Sequence, residues 1–340
     1  MGKSHLKVVR IDKSTNPLEW LNFRSSGLGG SEIAAVMGMS QWKCAQEVYY
    51  NKIGVFESNV EENIAMFQGN RLEPLVAETY EYWDGTEEGM IANYYAGKKL
   101  RVLYDPKCFV LNPNFPHLFF SPDRLSLLDM DHGKKYLIKG DKMYNEYIKE
   151  VIEIKTISGW AAKQFEDEFN PAYGIQLMSY LMGLEVERGS IITLKDGRNY
   201  SEKQLDYDED IVSSIDNITS EFWRRVVAGR EAVAKGGDYD QFCPPPDGSQ
   251  AYQVFLKKKF ANPEDEIVYC KDEALLESAK QYNALKLQME GLEGEQNIHR
   301  GILCEYMGNS FSQIDFGPHG KVTWRANKNG TRTFRNLVQP

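Results

Sequence analysis

The stretch "VIEIKTIS", Val151–Ser158, sets a glutamate and a lysine inside an apolar run rich in β-branched residues. Side chains in a strand alternate between faces, so Val151, Glu153 and Lys155 share one face while Ile152, Ile154 and Thr156 share the other. Burying two opposite charges is costly unless each is paired or coordinated. The stretch therefore predicts a buried strand that points an acid and an ammonium the same way, with a compensating group close by.

Around it, Lys98–Thr156 reads as a series of strands: "KLRVLY", "CFVLNPNF", "HLFFSPDRLSLL", "KKYLIKG" and "YIKEVIEIKTIS". Upstream, residues 17–52 read as short helices joined by a Gly-rich turn and closed by Gly54. Residues 60–83 read as one helix, with Leu72, Leu75, Val76, Thr79, Tyr80 and Trp83 forming a stripe. Two helices are expected after Ser158, the second announced by Asn170 as cap and Pro171 in its first turn. A strand pair around Gly197 and a helix from Glu209 follow. The order predicts an α/β protein with a central mixed sheet flanked by helices. The "CPPPDG" segment between Gly236 and Gly248 marks a boundary between residues 1–246 and an extension, 247–340. That extension reads as a long helix over Asp272–Met307 and a basic β-hairpin.

Bulk properties restrict the function classes. The chain has 340 residues, is 42% hydrophobic, and lacks any apolar run long enough to span a bilayer. Its start, "MGKSHLKVVRIDKS", has no secretory apolar segment. Five cysteines without CxxC spacing fit a reducing cytoplasm and argue against both a disulfide framework and structural zinc. The net charge of −9 does not advertise nucleic-acid binding. The segment Phe316–Pro340, however, carries Lys321, Arg325, Lys328, Arg332 and Arg335 and no acid.

"FFSPDRLSL" supplies a second acid, Asp123, after a turn-forming Ser-Pro and before an apolar strand. Pro122-Asp123 followed by Glu153-Ile154-Lys155 resembles the PD-(D/E)xK nuclease motif. Two carboxylates and the carbonyl of Ile154 are hard oxygen ligands suited to Mg²⁺, which acidifies water. Lys155 can orient that water and stabilise charge on a phosphate. A solvent-facing row of charges on an edge strand remains the plain alternative. In "FQGNRLEPLVAETYEYW", Glu73 borders the apolar stripe next to Gly69, a spot where bare backbone leaves room for substrate. In "FRSSGLGGSEIAAVMG", Ser31 reads as a helix cap after flexible glycines, and free N-terminal amides can hold an anion. In "PAYGIQLMSYLMGL", Tyr173, Gln176 and Tyr180 share one helix face.

Arg24 with Ser31, "QGNRLEP", "SPD", "EIK" and "YGIQLMSYLMG", in that order, resemble the YqaJ-type viral recombinases, relatives of the phage lambda exonuclease. The resemblance spans Trp20 to Gly229. It implies a restriction-endonuclease-like PD-(D/E)xK core and a phage- or prophage-encoded enzyme acting in a bacterial cytoplasm. The implied activity is a 5′-to-3′ exonuclease on ends of double-stranded DNA, leaving 3′ overhangs for a single-strand annealing protein. On the matching positions, Asp123 and Glu153 would bind Mg²⁺ (or Mn²⁺ in its place), helped by Glu73, Lys155 would activate water, and Gln176 would support the site. Arg24 and Ser31 would hold the 5′ phosphate. Homo-oligomers, including closed rings, are implied too. Lys321 and Arg325 of the extension are candidate DNA contacts. A restriction-type endonuclease and a non-catalytic DNA-end binder are the competing readings.

Overall fold

The computed structural model describes residues 6–12, 15–56, 63–128, 135–158, 170–262, 267, 269–326 and 329–338. It divides into two compact units, Met1–Asn262 and Pro263–Pro340. The first of the two helices expected after Ser158, and Lys328, lie outside the described residues.

The first unit begins with strand β1 (Leu6–Val9), which the sequence reading did not anticipate, and helices α1 (Pro17–Ser25), α2 (Gly30–Val36), α3 (Ala45–Ile53), α4 (Ile64–Tyr80) and α5 (Glu87–Tyr95). Strands β2 (Leu103–Tyr104), β3 (Phe109–Leu111), β4 (Arg124–Leu127), β5 (Ile138–Lys139), β6 (Lys142–Met143) and β7 (Ile148–Ile157) follow. Then come α6 (Pro171–Leu184), β8 (Arg188–Lys195), β9 (Asn199–Asp206), α7 (Glu209–Ala234) and α8 (Gln250–Lys259).

Five strands form the central sheet in the order β2-β4-β7-β8-β9. The middle strand, β7, pairs antiparallel with β4 and parallel with β8. A parallel neighbour requires a crossover, and α6 belongs to it. The β8–β9 hairpin turns over the three residues 196–198, with Asp196 and Gly197 both at positive φ (54° and 71°). The long insert between Asp123 and Glu153 contributes the β5–β6 hairpin. It joins a separate sheet, β3-β1-β6-β5, rather than the central one.

The alternation read from "VIEIKTIS" is realised. Ile152 and Ile154 pack with Val76, Ala77, Tyr80 and Trp83 of the α4 side, while Val151 packs with Leu177 and Leu181 of α6. The apolar residues thus fasten β7 between helices on both faces, leaving Glu153 on the α6 side.

Helix α8 carries buried Ala251, Tyr252 and Phe255, and Phe255 stacks on Tyr50 of α3 at 5.9 Å between ring centroids. This helix therefore belongs with the first unit. The division accordingly falls beyond the Pro-rich segment that marked it in the sequence.

In the second unit, α9 (Glu273–Met307) runs for 35 residues and leads into β10 (Gln313–Asp315), β11 (Lys321–Ala326) and β12 (Arg332–Asn336). These strands make a three-stranded antiparallel sheet, in which β11 and β12 are the basic hairpin and β10 pairs on the other edge of β11. Among the described residues, no helix is long and apolar enough to cross a membrane.

Candidate active site

Register places the two acids. Arg124 pairs with Ile152 across β4 and β7, so Asp123, one residue before β4, comes alongside Glu153. Asp123 is tied to the strand directly, its Oδ2 accepting the Ile154 N–H at 2.8 Å.

Glu153 is 1% exposed. Its Oε1 accepts from Lys155 Nζ at 2.5 Å and from Gln176 Nε2 at 2.6 Å. Gln176 projects from α6 and also shares a 3.1 Å bond with the Tyr180 hydroxyl, while its Oε1 lies 3.3 Å from Lys155 Nζ. Lys155 Nζ further sits 5.0 Å from the Tyr173 ring centroid. The compensating groups demanded by the buried glutamate are thus a lysine from its own strand and an amide from the crossover helix.

Compensation is incomplete. Glu153 Oε2 is buried and has no hydrogen-bond partner. Burial pushes the Asp123 carboxyl well up from its ordinary range, and the charge of Glu153 adds to the shift. Burial also raises Glu153, against the pull of Lys155. Lys155 loses by burial but is raised overall by the charges of Glu153 and Asp123. An orphaned carboxylate oxygen beside a second, repelling carboxylate is the signature of a place short of positive charge. The donor set, carboxylates with a neighbouring strand carbonyl at Ile154, has the chemistry of a small hard divalent cation.

Glu73 lies near enough for its charge to raise both carboxyls, but its side chain is engaged elsewhere. Its Oε1 accepts from Arg124 Nη1 at 2.7 Å, and Arg124, 7% exposed, also donates to the Asp123 carbonyl at 2.6 Å. Among the described residues, no three His, Cys, Asp or Glu side chains converge as a metal-holding group. Gly69 does not leave open backbone for substrate either. A Cβ there would stand 3.3 Å from Thr156 Oγ1, so the glycine lets α4 approach β7 closely.

The Gly-rich turn is packed, not flexible. Cβ atoms would fall 2.9 Å from the His117 carbonyl at Gly27, 2.7 Å from the Phe119 ring at Gly29, and 2.9 Å from Gln176 Cγ at Gly30. Leu28 also exchanges backbone hydrogen bonds with residues 117 and 119. The cap of α2 is Gly29, whose N–H donates to Glu32 at 3.0 Å. Ser31 lies exposed within the first turn and does not cap the helix, because the chain enters α2 two residues earlier than expected.

Arg24 lies over the Trp20 ring at 4.9 Å, and its Nη2 is 3.9 Å from Glu32 Oε1. Between them and the core sits Lys52, 5% exposed, donating to Glu32 Oε2 at 2.9 Å and to the Arg24 carbonyl at 2.6 Å. Burial would raise Glu32, but the Lys52 and Arg24 charges hold it below its ordinary value. Sequence reasoning missed Lys52 and Arg124. The first interrupts the apolar stripe Val48, Tyr49, Ile53 of α3, and a lysine on such a stripe is the available signal. The second directly follows Asp123, but a single arginine beside an acid gives no such signal.

Lys321 and Arg325 belong to the second unit. Lys321 is paired in register with Asp315, and Arg325 Nη2 donates to Gln313 Oε1 at 2.7 Å. Thr323, between them on β11, is 8% exposed.

Comparison with known proteins adds the following. Residues 19–183 match the profile of the YqaJ-like viral recombinase domain. The uncharacterized protein YqaJ of Bacillus subtilis (strain 168) is 27% identical over 298 residues, covering 87% of this chain and 79% of that one. Among solved structures, the alkaline exonuclease LHK-Exo of Laribacter hongkongensis aligns at 19% identity with a TM-score of 0.46, over 64% of this chain and 96% of that one. The phage related exonuclease from Haemophilus somnus 129PT aligns at 10% identity with a TM-score of 0.39, over 64% of this chain and all of that one. Asp123, Glu153, Lys155 and Gln176 all lie within residues 19–183, the stretch that matches the YqaJ-like viral recombinase domain.

Proposed function

We propose that this protein is a divalent-cation-dependent exonuclease that degrades one strand of double-stranded DNA from its 5′ end and leaves a 3′ overhang. The observation that carries the reading is the Asp123–Glu153–Lys155–Gln176 cluster with its orphaned Glu153 oxygen. The polarity, the 3′ overhang, an annealing partner and a homo-oligomeric state come from the family resemblance.

Asp123, Glu153 and the Ile154 carbonyl would hold Mg²⁺, with Mn²⁺ as substitute. Glu73 is left to Arg124. When bound, the cation supplies acidified water and screens phosphate charge. The chain's own residues do the rest. An ammonium has three donors, and Lys155 directs two toward Glu153 and Gln176, leaving one for the attacking water or a phosphate oxygen. Gln176, held by Tyr180, fixes the Glu153 carboxylate and thereby Lys155. Arg24, with Ser31 in the exposed first turn of α2, would receive the terminal 5′ phosphate, a match of cation and hydrogen-bond donors to a phosphate monoester. In the second unit, Lys321 and Arg325 would contact the DNA backbone.

The test is digestion of linear duplex labelled at one end at a time, with and without Mg²⁺, beside a covalently closed circle. Nucleotide release from 5′ ends only with Mg²⁺, and an intact circle, are expected. A cut circle would favour the endonuclease reading, and end binding without release the non-catalytic one. Loss of discrimination between 5′-phosphorylated and 5′-hydroxyl ends in Arg24→Ala tests the phosphate assignment.

A further inference from the structure

An aromatic pair beside the acids is not used by the chemistry described above. Trp42, in the loop between α2 and α3, stacks on Tyr173 of α6, with ring centroids 5.7 Å apart and planes inclined by 18°. Tyr173 is half-buried, and Lys155 Nζ lies 5.0 Å from its ring centroid. The order outward from the acids is therefore Glu153, Lys155, Tyr173, Trp42.

Trp42 is 55% exposed, and among the described residues it is the one tryptophan among the exposed large hydrophobic side chains. A stack of this kind stabilises the fold most when it is buried, so packing alone does not account for a half-bare indole beside a charged cluster. Its loop is nonetheless fixed. Ser40 Oγ accepts from the N–H groups of Trp42 (3.2 Å) and Lys43 (3.3 Å), and Cys44 caps α3 two residues later. The next residue, Lys43, is near enough to the Arg24–Lys52 group for its charge to act on Lys52. An exposed aromatic face on a pinned loop, with cations on both sides, has the chemistry of a nucleotide platform: stacking for the base, positive charge for the phosphates.

We propose that Trp42, backed by Tyr173, stacks on an unpaired nucleobase at the DNA end and so positions the adjoining phosphate at Lys155. The proposal rests on the nuclease reading and names a subsite of it. Every base has a π-face, so the platform is indifferent to sequence, as an enzyme that removes nucleotides in succession requires.

The test uses two 5′-phosphorylated duplexes, one ordinary and one whose 5′-terminal nucleotide is abasic. Binding is measured by anisotropy in EDTA and cleavage by nucleotide release in Mg²⁺. Wild-type protein should bind the ordinary end about 5- to 100-fold more tightly, the equivalent of one aromatic–base stack. Trp42→Ala should reduce that ratio to near one, and Trp42→Phe should restore most of it. Thermal melting verifies that each variant is folded. If wild-type protein cleaves DNA and Trp42→Ala discriminates between the two ends as well as wild type does, the platform is wrong and the nuclease reading stands. If wild-type protein neither binds nor cleaves either duplex, both fall together.

Discussion

Arg124 donates to Glu73 at 2.7 Å across the space between β4 and α4, and the arginine side chain is only 9% exposed. The register partner of Arg124 is Ile152, on the apolar α4-facing side of the sheet, so the guanidinium is embedded where an unpaired charge would be expensive. Glu73 is its nearer carboxylate, with Asp105 more distant at 3.7 Å, and the Asp123 carbonyl accepts from it as well.

Glu73 is therefore expected to matter for stability before it matters for cation binding. Glu73→Ala should cost about 1–3 kcal/mol in denaturant unfolding without divalent ions, since it leaves a buried donor short of its charged acceptor. By calorimetry, Glu73→Gln should keep Mg²⁺ affinity within about tenfold of wild type, a loss no larger than that of an outlying partner. Glu153→Gln and Asp123→Asn should lose detectable binding. Equal losses in all three would return Glu73 to the cation.

Gly30 is where the packing of α2 touches catalysis. A methyl group there would stand 2.9 Å from both Gln176 Cγ and the Tyr180 ring. Tyr180 is buried, so Gln176 must yield, and its 2.6 Å bond to Glu153 goes with it. Gly30→Ala should lower the maximal cleavage rate by an order of magnitude or more, with a stability loss of about 1–3 kcal/mol. A variant cleaving at the wild-type rate would show that Gln176 does not hold Glu153 in place.

Lys52→Met should be among the more damaging single changes outside the acidic pair. It would leave Glu32 buried with only the Gly29 N–H and a distant Arg24, at a cost of about 3 kcal/mol. Adding Glu32→Gln should recover much of that loss. Urea unfolding of wild type, the single variants and the double variant measures the coupling.

His117 predicts the acid side of the stability profile. Its Nε2 lies 3.0 Å from Thr219 Oγ1, whose own hydroxyl donates to the Ile215 carbonyl and is thus left to accept from the imidazole. Burial lowers its pKa, and the charge of Asp216 opposes this only in part. The unfolded chain therefore binds more protons than the folded one below the ordinary value of 6.5, and stability falls as the pH drops through that window. In His117→Gln, the difference in melting temperature between pH 7.5 and pH 5.5 should shrink.

The site was legible to the extent that it obeys strand alternation. Glu153 and Lys155 announce themselves because charges on a strand packed on both faces need a reason, and Asp123 is found by the turn before it. The Asn170 cap and the Asp196-Gly197 turn are likewise local signals and were realised locally. What failed depended on distant partners. Ser31 has the composition of a cap, but Leu28 is held by residues 117–119, and that contact fixes where α2 begins. Gly69 and the glycines of the turn look like freedom in the sequence and act as sites of close packing. Glu73 lies where the resemblance puts it, yet its orientation is set by Arg124, fifty-one residues on.

The parallel β7–β8 pairing bears on how the chain can be made. The neighbours of β7 are synthesised on either side of it, β4 before and β8 only after the crossover. A chain still on the ribosome that ends before Lys195 cannot clamp β7 from both edges, and Gln176 has no rigid helix bed from which to reach Glu153. The β4–β7 register already brings the two acids together, but the frame that holds them is completed only once α6 and β8 have emerged. Any activity that depends on this cluster would therefore follow, not precede, completion of the sheet.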